Sequence, residues 1–133
     1  MPDTTLTVAI MDAPYEAAAS TTAFRIIAAA LEKGVNVNVF AYEGAVSLSV
    51  KEQAPHANPV KGTSVEEEAH PTTKDLVAAL LQLGAGRLAW VNCGLCVDER
   101  GATSVIEGVK RGSPADFLKM ALASTNTLVI PTR

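Results

Sequence analysis

The 133 residues are 48% hydrophobic, 5% aromatic and 19% charged, with a formal net charge of -3. That is apolar material for one globular domain with a core of Val, Ile, Leu and Ala, and too little charge for a disordered chain. Lys110-Arg111 is the sole adjacent basic pair and reads as solvated surface, so a nucleic-acid partner is not expected. There is no basic leader ahead of an apolar run, and no apolar stretch of about 18 residues, so neither export nor a membrane span is expected. The two cysteines then read as thiols in a reducing cytoplasm rather than as a disulfide.

In chain order, Leu6 to Met11 is a short apolar run that predicts a first strand, broken by Asp12-Ala13-Pro14-Tyr15. Helical spacing of Ala19, Ala23, Ile26, Ile27, Ala30 and Leu31 predicts a helix over 16–33, with Gly34 placed for a left-handed C-terminal cap. Val35 to Phe40 alternates with β-branched residues, as a second strand does. Residues 52–71 hold Pro55, Pro59, Gly62, Pro71 and the run Glu66-Glu67-Glu68, and predict a long surface loop, with a short helix across 47–53. Thr72 with Asp75 marks the cap of the next helix, whose apolar face is Leu76, Val77, Leu80, Leu81 and Leu83. Gly84 reads as its terminator.

Arg87 to Asn92 predicts a third strand, apolar enough to be central, that runs into Cys93-Gly94-Leu95-Cys96. A helical stretch interrupted at Gly101 and Gly108 follows. Ser113-Pro114-Ala115-Asp116 is a strong helix start, with Phe117, Leu118, Ala121 and Leu122 as the buried face, and Thr127 to Ile130 is a final strand. Strands alternating with helices, and running continuously apolar, predict an α/β domain: a doubly wound, mostly parallel sheet of four or five strands with helices on both faces. No internal repeat or domain boundary is evident. Gly84-Ala85-Gly86-Arg87-Leu88-Ala89 fits a dinucleotide-binding spacing, but it lies between a helix and a strand, the reverse of the order that fingerprint requires.

Chemistry in doubly wound sheets gathers beyond the carboxyl ends of the strands, where Cys93 falls and where Asp12 to Tyr15 either line the same rim or merely cover the first helix. A helix start favours a thiolate, and Gly94 leaves room for a partner to approach Cys93. If the helix begins near Leu95, Cys96 and Arg100 share a face at i, i+4, and the guanidinium would help hold a thiolate or persulfide anion. Asp98 and Glu99 oppose it, which leaves the balance open. An inert, buried cysteine pair is the plain alternative, and would make the chain a non-catalytic oligomeric binding module. A CxxC thiol–disulfide redox protein is another. Zinc would need ligands beyond this pair, and His56 and His70 lack finger spacing, so no metal or other cofactor is expected.

Cys93-Gly94-Leu95-Cys96-Val97-Asp98-Glu99-Arg100-Gly101 resembles the cysteine segment of the DsrE/DsrF-like family of sulfur-relay proteins, and Glu107-Gly108-Val109-Lys110-Arg111-Gly112-Ser113 is similar to the stretch before that family's last helix. Val37 to Phe40 and Gly44-Ala45-Val46 add a less specific likeness. The resemblance spans nearly the whole chain apart from residues 52–71. It implies a sulfurtransferase-like persulfide carrier that takes sulfane sulfur from a donor protein and relays it to an acceptor thiol. By its distance from Arg100-Gly101, Cys93 matches the sulfur-carrying cysteine. Cys96, which many relay members lack, would modulate or discharge the persulfide. The resemblance also implies a homo-oligomer, a trimer or hexamer.

Overall fold

The computed structural model describes residues 3–15, 18–57, 62–68 and 72–131. Among them the chain forms β1 (Thr5–Ile10), α1 (Ala19–Glu32), β2 (Asn36–Ala41), a 3-10 segment (Glu43–Ser49), α2 (Val65–Glu68), α3 (Thr73–Gly84), β3 (Leu88–Cys93), α4 (Gly94–Arg100), β4 (Val109–Gly112), α5 (Pro114–Ala123) and β5 (Asn126–Ile130). The strands make one parallel sheet in the order β4-β3-β2-β1-β5. β3 is therefore interior, second from an edge, rather than central.

Alternation along the strands sorts side chains between two faces. Val8, Ile10, Val37, Val39, Leu88 and Trp90 point to one face, where Ala23, Phe24, Ile27 and Leu31 of α1 and Val77 and Leu80 of α3 close the main core. Phe40, Val91 and Cys93 point to the other face, covered by Phe117 and Met120 of α5. That second layer is thin, and no residue of α5 is buried.

Several boundaries differ from expectation. The stretch after α4 holds a strand, β4, because Gly101 (φ 62) ends the helix in the left-handed region and the chain then returns to pair Trp90 with Val109. Four residues, the middle two exposed, carry little strand signal. The 3-10 segment begins at Glu43, ahead of the expected 47–53 helix. α3 runs through Gly84, which packs on Leu31 and Leu88, and Ala85 takes the left-handed cap at φ 48. On α5 the inward residues are Phe117, Met120 and Ala121, whereas Leu118 and Leu122, expected inside, are 58% and 78% exposed. The 52–71 loop carries the one-turn α2, and its residues 58–61 and 69–71, including His70, lie outside the described set.

Candidate functional site at the carboxyl edge of the sheet

Register aligns the strand ends: Ile10 pairs with Ala41, Ala41 with Asn92, and Cys93 with Gly112. The loops after β1 and β2 and the start of α4 therefore meet at one edge. Asn92, buried on the α1 side, anchors this edge by donating from Nδ2 to the Val46 carbonyl at 3.4 Å and to Ser49 Oγ at 3.3 Å. The next residue along the strand points to the opposite face, which places the Cys93 sulfur toward α5 among Phe40, Val91 and Phe117.

Both cysteines are free, with Cys93 5% exposed and Cys96 half-buried. The two thiols are electrostatic neighbours, with Cys93 raising the pKa of Cys96. The backbone N–H of Glu43 donates to Cys96 Sγ at 3.1 Å, and Glu43 sits at φ 52, an uncommon conformation for a residue with a side chain. Burial pushes the Cys96 thiol up; the Glu43 N–H pulls it back but does not cancel that rise, and the adjoining Cys93 adds to it. Cys96 therefore keeps its proton at neutral pH, which makes it a proton-bearing neighbour for Cys93.

The two guanidiniums of the region divide differently from the sequence reading. Arg100 contacts Glu43 Oε2 at 3.2 Å and Glu99 at 3.7 Å, so it reaches Cys96 through Glu43 rather than by direct contact with the sulfur. Arg111, set aside in the sequence as surface, lies over Gly94. A β-carbon there would stand 2.7 Å from its Nε, so the space expected to be open beside Cys93 is filled by a guanidinium. Asp98 holds that group with a two-pronged pair, 2.8 Å to Nη1 and 2.6 Å to Nη2. The hydrogen bond from Arg111 lowers the Asp98 carboxyl, and Asp98 raises Arg111 in return. Asp98, expected to oppose a sulfur anion, is thus neutralised by its own partner.

Two clefts flank Arg100. One, of about 490 Å³, is lined by Asp12, Ala13, Tyr42, Glu43 and Gly44 together with Arg100. The other, of about 450 Å³, holds Tyr15 and His56, whose rings meet edge to face at 4.9 Å between centroids. Tyr15 thus lines the rim, beside Arg100. Among the described residues no group of three or more His, Cys, Asp or Glu side chains is gathered as metal ligands are, and no helix is long and apolar enough to cross a membrane.

Sequence reasoning missed Arg111, Asp98 as its holder, and Glu43. The signal for Arg111 was the pairing of β4 with β3, which sets residue 111 opposite Asn92, one residue before Cys93.

Comparison with known proteins agrees with this architecture. The chain is 30% identical over 124 residues to the uncharacterized protein MJ0989 of Methanocaldococcus jannaschii, covering 92% of this chain and 96% of that one. The fold is similar to the crystal structure of the ychN protein from E. coli, with a TM-score of 0.69 at 20% identity over 96% of this chain and 98% of that one. It is also similar to BT1422, a conserved protein of unknown function from Bacteroides thetaiotaomicron, with a TM-score of 0.63 at 13% identity over 94% and 92% of the two chains. The DsrE/DsrF-like family pattern matches residues 5–130, which spans every strand, and the chain belongs to the DsrE/DsrF-like family.

Proposed function

We propose that this protein, in keeping with the general sulfur-relay role of its family, carries sulfane sulfur as a persulfide on Cys93 and passes it to another thiol. The observation that carries the reading is the pair of interacting free thiols at the sheet's carboxyl edge, one buried and one half-exposed, beside a guanidinium fixed by Asp98. A buried sulfur behind a thin layer of side chains is shielded from water, as a persulfide in transit must be.

The chemistry needs no external oxidant. The Cys93 thiolate attacks the terminal sulfur of a donor R–S–SH. The donor's S–S bond breaks, its electron pair leaves on R–S⁻, which takes up a proton, and Cys93–S–SH holds the new bond. Transfer to an acceptor thiolate runs the same exchange in reverse. Cys96, one helical turn on, discharges the persulfide when its thiolate attacks Cys93, forming the internal disulfide and releasing HS⁻. Its raised pKa keeps that side reaction slow at neutral pH. Arg111, beside Cys93, supplies positive charge next to the sulfur anion, and Arg100 offsets the Glu43 carboxylate near Cys96.

Donor and acceptor are proteins docking in a reducing compartment, the cytoplasm, and the carrier works as a homo-oligomer, a trimer or hexamer. Exposed Leu118, Leu122 and Val129 beside the thinly covered face support that assembly.

Incubating wild type, Cys93→Ser and Cys96→Ser with inorganic tetrasulfide and weighing each intact chain tests the proposal. Wild type should gain sulfur or form the internal disulfide, Cys96→Ser should hold the persulfide longer, and Cys93→Ser should gain nothing. Loading of Cys93→Ser to the wild-type extent would remove Cys93 as the carrier.

A further inference from the structure

The cleft of about 490 Å³ at the ends of β1 and β2 has features that the transfer chemistry above does not use. Asp12 lines it, is only 6% exposed, and its Oδ2 has no hydrogen-bond partner among the described residues. A carboxyl oxygen withdrawn from water without a partner is costly, and Oδ2 calls for a cation or an N–H group. Tyr42 lines the same cleft, and burial, reinforced by Glu43, raises its pKa, so its hydroxyl remains a donor. On the outer side Arg100 makes single contacts with Glu43 and Glu99, which leaves guanidinium N–H groups uncommitted. Glu43 connects the cleft to the thiols through its N–H on Cys96.

A buried carboxyl group, a neutral hydroxyl and a partly free guanidinium around a volume of this size suit a small zwitterion. We infer that the cleft binds a low-molecular-weight thiol of amino-acid type, with its ammonium on Asp12, its carboxylate on Arg100 and its sulfur toward the thiol pair. The inference rests on the persulfide reading and names a small-molecule partner for it beside the proteins. In the loading direction the bound ligand is the R–S–SH of the exchange above and leaves as R–S⁻. In the discharging direction its thiolate takes the terminal sulfur from Cys93. A donor without the ammonium would set its own negative charge against Asp12 and Glu43 with nothing in return.

Binding is measured apart from transfer by titrating ¹⁵N-labelled protein with S-methyl-L-cysteine, which has both charged groups and no sulfur to give. The amides of Ala13, Glu43 and Gly44 should shift saturably, and 3-(methylthio)propionate, lacking the ammonium, should bind about tenfold more weakly. Asp12→Asn should abolish that discrimination. In loading assays, wild type should take sulfur from cysteine hydropersulfide about tenfold faster than from the hydropersulfide of 3-mercaptopropionate, and Asp12→Asn should treat them alike. Should Asp12→Asn fail to fold, Arg100→Gln should weaken S-methyl-L-cysteine about tenfold while leaving S-methylcysteamine, which has no carboxylate, unaffected. Absence of amide shifts, equal binding of the two acids by wild type, retained discrimination in Asp12→Asn, or equal losses in Arg100→Gln would each overturn the inference, even with tetrasulfide still loading Cys93. Failure of tetrasulfide to load Cys93 would instead sink the carrier reading, and the shifts with S-methyl-L-cysteine would still decide the cleft.

Discussion

The guanidinium of Arg111 occupies the space a side chain on Gly94 would need: a methyl group there would lie 2.7 Å from Nε, 2.9 Å from Cζ and 3.0 Å from Nη2. These atoms are the far end of a flexible, exposed side chain, so Gly94→Ala should displace Arg111 rather than unfold the protein, with the melting temperature falling by less than about 4 °C. The displaced guanidinium leaves Asp98. In wild type the Arg111 hydrogen bond lowers the Asp98 carboxyl, so the pair's contribution to stability is present above the ordinary carboxylate range and is lost as pH falls through the lowered value. In Gly94→Ala the carboxyl should titrate higher, back toward the ordinary carboxylate range, read by ¹³C NMR. An unchanged Asp98 titration would mean that Arg111 had not moved.

Arg111→Gln asks whether that charge matters to sulfur. It removes the cation beside Cys93 while keeping length and some hydrogen bonding. Persulfide loading on Cys93, followed by intact mass against time, should slow by about fivefold to tenfold. Arg111→Lys should recover part of the rate but not the two-pronged grip on Asp98. A rate equal to wild type in Arg111→Gln would confine Arg111 to surface structure.

Cys96 should behave as a reluctant thiolate. In Cys93→Ser only the Cys96 thiol remains, and burial still raises its pKa. Its iodoacetamide rate should therefore rise with a midpoint above the ordinary thiol value of about 8.5. A midpoint at or below that value would mean that the Glu43 N–H outweighs burial. In that case Cys96 would compete with Cys93 for incoming sulfur at neutral pH.

Gly44 is held by a tighter constraint than Gly94. A β-carbon there would sit 2.8 Å from Ala13 Cβ and 2.9 Å from its backbone N, atoms that cannot swing away. Gly44→Ala should destabilise by about 1–3 kcal/mol in urea unfolding, as overpacking does. It should also pry apart the β1 and β2 loops and weaken any ligand of the cleft between them.

Light scattering at micromolar concentration should return a multiple of the 13.9 kDa chain mass. Leu122→Asp and Val129→Asp, which put charge on the exposed apolar positions, should drive the protein toward monomer with little loss of secondary structure in circular dichroism. A wild type that stays monomeric at every concentration would refute the assembly.

Strands and helices with strong periods were legible in the sequence: β1, β2, β3, α1 and α3 follow from apolar spacing because each buries a face in the main core. β4 was not, since its middle residues Lys110 and Arg111 are solvated and its place depends on a partner strand distant in sequence. The outward Leu118 and Leu122 misled for a related reason, since apolar pattern reports what must be covered and not by what. At the site, Cys93 and Cys96 announced themselves by spacing. Glu43, 53 residues from Cys96, has a role only because two strand ends are level, which no local pattern encodes.

The sheet order also dictates when the domain can be finished. β5 pairs with β1 in the register Leu6 with Asn126 through Ile10 with Ile130, although almost the whole chain separates them. On the ribosome β1 and β2 can associate through α1 early, but the outer edge of β1 stays unsatisfied until residues 126–130 clear the exit tunnel. Completion of the sheet therefore waits for residues 126–130, and until then β1 offers its free edge to a chaperone or to another nascent copy.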